Sequence, residues 1–108
     1  LSIYRDLLAQ CDNSEAITGT AAADLTKAVH TLGAASAAYI VTLAAGQPGQ
    51  LAFFKMISNG ATHVVTLTPA SARSFTSYTF NAVGAWLILR YRDNAWERLD
   101  SNNATKVA

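Results

Sequence analysis

The chain is poor in the residues that staple or charge a small protein. Its single cysteine, Cys11, excludes an intramolecular disulfide and any multi-cysteine zinc site, so packing or partner subunits must hold the fold. Charged residues make up only 14% of the 108 positions against 51% apolar ones, which argues against disorder and implies that much of the surface is covered. Eight basic residues against seven acidic ones leave a net charge of +1, no footprint for a phosphate backbone or an anionic membrane; neither nucleic acid nor membrane is an expected partner. No apolar run approaches the roughly 18 residues that cross a bilayer as a helix. The opening stretch carries Arg5 and Asp6 and lacks the form of a secretory signal, so the expectation is a soluble product made in the cytoplasm.

Catalytic constellations are equally sparse. His30 and His63 have no second histidine, cysteine or carboxylate at metal-ligand spacing, and a solvent-facing or cross-strand role suits His63. The seven carboxylates are scattered, which reads as surface and cap positions. There is no G-x-S-x-G elbow, and Cys11 sits on the apolar stripe of the opening segment, where a buried structural thiol is expected. The six glycines form neither G-x-G-x-x-G nor a P-loop, and Gly46 and Gly49 bracket Pro48 as turn residues would. The reading is no enzyme, no cofactor and no metal.

What is present is strand syntax. Residues 1–11 place Ile3, Tyr4, Leu7, Leu8 and Cys11 on one helical stripe with Ser2 as N-cap, predicting a short N-terminal helix or arm over 1–14 that is too short to stand alone in water. Residues 15–33, rich in Ala and Thr, fit either a weak helix or two short strands, and the strand reading is adopted. Strands are predicted at 38–43, 50–57 and 63–68, with AAGQPG and Asn59-Gly60 as hairpin turns and Pro69 as a stop. Three further runs, 78–80, 85–92 and 95–99, are separated by residues 81–84 and by Asp93-Asn94, and Val107 marks a last strand or exchanged arm. The fold class is therefore mainly β: a small antiparallel β-sandwich or barrel of six to eight short strands, a single domain over 15–108.

In the run 86–92, Trp86, Ile88, Arg90 and Arg92 share one face and Leu87, Leu89 and Tyr91 the other; Trp96 and Arg98 likewise oppose Glu97 and Leu99. Apolar groups on both faces suit a sheet packed on another subunit, which makes Trp86, Ile88, Arg90 and Trp96 candidate interface residues alongside Ile3, Leu7 and Leu8 of the arm. Arg90, Arg92 and Arg98 lie in one hairpin with Asp93 and Glu97, where cross-strand ion pairs or subunit contacts are the expectation. The aromatic residues have no basic groove beside them and read as core and interface rather than a base-stacking platform.

An ordered set of segments carries a resemblance. TLAAGQPGQ (42–50), KMISNGATHVVTLTPA (55–70), TFNAVGAWLILRY (79–91), Trp96 and SNNATKV (101–107) together resemble short β-rich structural domains of tailed-bacteriophage virion proteins of the marine and cyanophage type. Departures are the apolar Ala85-Trp86, where such sequences often carry polar residues, and Asn103, where Gly is common. The resemblance implies a structural protein without catalytic residues, assembling as a homotrimer and located in the virion. It also implies a capsid decoration or cement protein that contacts the major capsid protein and stabilises the head. The alternative is a tail fibre or tail spike module that contacts the host surface; a carbohydrate- or small-ligand-binding sandwich is a more distant one.

Overall fold

The structure, a computed structural model, describes residues 14–34, 37–60 and 63–108. Ten strands are found among them: β1 (Ser14–Ile17), β2 (Ala21–Ala22), β3 (Val29–Gly33), β4 (Tyr39–Leu43), β5 (Leu51–Ser58), β6 (Val65–Pro69), β7 (Ser77–Phe80), β8 (Trp86–Arg92), β9 (Ala95–Asn102) and β10 (Ala104–Val107). They form two five-stranded sheets, ordered β1-β3-β5-β8-β9 and β10-β7-β6-β4-β2. The predicted N-terminal helix falls outside the described residues, and the ambiguous stretch 15–33 is strand rather than helix.

The expected all-antiparallel arrangement is corrected. The pairs β1/β3, β3/β5, β2/β4 and β4/β6 are parallel, while β5/β8, β8/β9, β6/β7 and β7/β10 are antiparallel. The first six strands alternate between the sheets, so each parallel neighbour is reached by way of a strand in the facing sheet, which supplies the crossover that parallel pairing requires. The AAGQPG and Asn59-Gly60 turns accordingly carry the chain from one sheet to the other and make no hairpins. Asn59-Gly60 does bend sharply, with Gly60 at φ 49° and His63 N donating to Asn59 O at 2.8 Å. The turn at Asp93-Asn94 is a true hairpin: both residues have positive φ, 54° and 64°, as a two-residue type I′ loop requires.

Both sheets contribute to one core. Ile17, Leu32, Ala52, Phe54, Met56, Leu87, Leu89, Tyr91 and Trp96 from the first sheet meet Tyr39, Val41, Leu43, Val65, Leu67, Tyr78 and Phe80 from the second. The Tyr39 hydroxyl ties strand ends together, its proton shared between Ile17 O at 2.9 Å and Gly33 O at 3.0 Å. Burying that hydroxyl raises its pKa above the usual tyrosine value.

Candidate functional site

The two sheets differ on their outer faces. In β4 and β6 burial alternates strictly, and the outward positions are Ile40, Thr42, Thr66 and Thr68, a largely threonine surface. In β3, β5 and β8 burial is nearly continuous, because outward residues are apolar as well. Register aligns Val29 with Phe53 and Phe53 with Ile88, so one apolar row crosses three strands. These three are 6%, 1% and 3% exposed and form a second cluster, separate from the inter-sheet core, with Ala28, Leu51, Trp86 and Leu99 packed around them. Phe53 and Trp86 meet ring to ring at 6.3 Å. Ile57, further along the same face of β5, is 53% exposed.

Trp86, Ile88 and Arg90 thus share the outer face of the first sheet. Trp96 does not join them. It pairs with Tyr91 across the hairpin and so shares the inward face with it, fully buried, its Nε1 donating to Ala44 O at 2.9 Å and its ring edge-on to Tyr91 at 5.2 Å. Its indole therefore belongs to the inter-sheet core and presents no exposed surface on the face that carries Trp86. Ile3, Leu7 and Leu8, like Cys11, lie outside the described residues.

The arginines of the hairpin are organised by Glu97. Arg90 lies opposite Glu97 in register and donates from Nε to Oε2 at 2.9 Å; Arg92 Nη2 stands 3.3 Å from Oε1. Arg73, contributed by the β6–β7 connection, approaches the same oxygen at 3.9 Å. No local sequence signal marks Arg73. It arrives because the loop pairs with β9, Trp96 N donating to Ser71 O and Arg73 N to Trp96 O. Glu97 is only 13% exposed in its side chain, and the Arg90 contact, aided by the charges of Arg92 and Arg73, holds its carboxyl below the usual range despite the opposing effect of burial. Arg98 points to the other face and pairs locally with Asp100 at 3.5 Å.

A second polar cluster was not legible in the sequence. Parallel pairing puts Glu15 of β1 beside His30 of β3, and His30 Nδ1 lies 2.7 Å from Glu15 Oε1, which also accepts the Asp24 N–H at 2.9 Å. His30 is fully buried and stacked on Phe54 at 4.6 Å, so it is a core histidine, and Glu15 is no surface carboxylate. Its Nε2 has no hydrogen-bond partner among the described residues; the Lys27 backbone favours the charged ring without reaching hydrogen-bond geometry. Burial outweighs these contacts and keeps the imidazole pKa below its ordinary value.

Among the described residues no group of three or more His, Cys, Asp or Glu is placed to hold a metal ion, and no helix is long and apolar enough to cross a membrane. No protein-family model matches this chain, and a search of curated proteins likewise finds no match.

Proposed function

We propose that the chain is a structural module of a virion, a capsid decoration or cement protein that assembles as a trimer and adds contact area to the phage head. The observation that carries this reading is the apolar outer face of the first sheet, in a chain with few charges: the row Val29, Phe53 and Ile88 is buried within one chain, but Leu51, Trp86 and Leu99 around it are only partly covered and Ile57 is 53% exposed. A sheet that is apolar on both faces serves a protein whose outer face is packed in an assembly, and closed symmetric assembly is the usual way to remove such surface from water. The ordered resemblance to phage virion domains from Thr42 onward supports the same assignment. In this reading the two sheets form a β-sandwich whose threonine-lined face meets solvent. This reading assigns Ile3, Leu7 and Leu8 of the segment before β1 to contact with a neighbouring subunit or the major capsid protein.

The test is the copy number and position of the protein on purified particles, read by mass analysis and antibody labelling. Tens to hundreds of copies spread over the head are expected. A few copies confined to the tail would replace the decoration reading with a tail fibre or tail spike module, and absence from particles would end the virion assignment.

A further inference from the structure

The two sheets end, on one side, in β9 and β10, and the inward faces of these edge strands carry charge beside the apolar Trp96 and Ala104. Arg98 of β9 lies opposite the core residue Leu89, and Lys106 of β10 lies opposite the core residue Tyr78, so both side chains emanate toward the space between the sheets. With Arg73, Ser74 and Phe75 of the β6–β7 connection they line a cleft of about 240 Å3.

The charges at this end of the chain are unbalanced, and on the cleft wall itself Arg73, Arg98 and Lys106 stand against Glu97. Five of the eight basic residues, Arg73, Arg90, Arg92, Arg98 and Lys106, gather at this end with three acids, Asp93, Glu97 and Asp100, so the region is positive while the rest of the chain is slightly negative. Among the described residues Glu97 is the one acid on the cleft wall, and its oxygens are engaged by Arg90 and Arg92. Lys106 meets no carboxylate among the described residues, and Arg98 is held in place by its Nε donating to Ser101 Oγ at 2.8 Å. The Tyr78 ring is buried, and its hydroxyl, which makes no hydrogen bond among the described residues and is not shut off from solvent, opens at the cleft. Inward charges on edge strands can serve merely to block edge-to-edge pairing. That explains Lys106 and Arg98 one at a time; it does not explain a cleft in which they, Arg73 and the Tyr78 hydroxyl all converge.

We propose that the cleft between β9 and β10 binds an acidic monosaccharide, its carboxylate taken by Lys106, Arg98 and the Tyr78 hydroxyl. Cationic N–H groups and a phenol are the donors a carboxylate needs, and charge-assisted bonds of this kind are the stronger ones. The volume suits one sugar ring rather than a bare oxyanion, and Phe75, edge-on to Tyr78 at 4.8 Å, offers an apolar wall to ring C–H groups. The proposal is independent of the virion reading, since the isolated protein should bind.

The experiment is titration of the isolated, isotope-labelled protein with sodium glucuronate, inorganic phosphate and glucose, followed by amide chemical shifts. Saturable shifts with glucuronate at Ser74, Tyr78 and Lys106 are expected, with glucose and phosphate at least about tenfold weaker. Lys106→Gln, an exposed position, should weaken glucuronate about tenfold with the circular dichroism unchanged, and Tyr78→Phe should weaken it several-fold while keeping the ring in the core. No saturable shift with glucuronate, or binding unaffected by Lys106→Gln, would overturn the site. Glucose as tight as glucuronate would overturn the anionic assignment, and phosphate as tight would overturn the sugar.

Discussion

Gly46 shows how one residue's meaning depends on a neighbour fifty positions away. Beside Pro48 and Gly49 it reads as a turn glycine, but its requirement is space. A Cβ there would stand 2.8 Å from Trp96 Cζ2 and 2.8 Å from Gln50 Oε1. The Gln50 amide is tethered, accepting from Gln47 N and donating to Leu25 O, each at 2.8 Å. The indole is fixed more firmly, by its bond to Ala44 O and by the Tyr91 ring. Gly46→Ala should therefore cost about 1 to 3 kcal/mol, the usual penalty of overpacking a filled site. A lower urea midpoint at unchanged slope is the expected readout. An unchanged midpoint would show that the 44–50 loop moves aside freely.

At the scale of elements, the strands were legible and their connections were not. Segments such as 39–43 and 86–92 announce themselves because alternation and β-branched or aromatic residues report the local backbone. Asn59-Gly60 reports only that the chain bends, and nothing in that dipeptide says whether the next strand pairs with the last or crosses to the facing sheet. The β1/β3 pairing is the clearest casualty, since parallel neighbours fifteen residues apart leave no spacing motif, and Glu15 and His30 looked unrelated. Their contact has a pH consequence. Among the described residues Asp24 and Lys27, from the connection before β3, and Glu15 are the charged groups near the ring, and burial still wins, holding the His30 pKa below 6.5. The unfolded chain thus takes up the proton first, so stability is complete above pH 6.5 and falls as pH is lowered through 6.5 toward the folded-state value. Glu97, held below its ordinary 4.5 by Arg90, acts in a separate and more acidic window. Urea midpoints at pH 7.5 and 5.5 should differ in wild type, with the lower value at 5.5, and the difference should shrink in His30→Gln, which keeps a donor for Glu15 but does not titrate. A wild-type midpoint that is flat or rises toward pH 5.5 would contradict this account.

For the whole molecule, the proposed trimer raises the question of which outer face would meet another copy. Sequence patterning placed Trp86 and Ile88 on a face with apolar character, but whether Trp96 joined them depended on hairpin register, which fixed it in the core instead. The remaining asymmetry gives a paired test on exposed positions that the fold tolerates. Ile57 is 53% exposed on the outer face of the first sheet, and Ile40 is 51% exposed on the outer face of the second. Surface changes at such positions usually shift monomer stability by no more than about 0.5 kcal/mol, so an effect on assembly can be separated from an effect on folding. Light scattering of the wild-type protein at micromolar concentration should give a trimer. Ile57→Asp places a charge within the proposed interface and should shift the population toward monomer, while Ile40→Asp, set among threonines, should leave the trimer intact. The opposite pattern would move the interface to the threonine face. A monodisperse wild-type monomer would mean that the first sheet's outer face, Ile57 included, needs no cover beyond what buries Val29, Phe53 and Ile88 within one chain, and that self-association is not what that face is for.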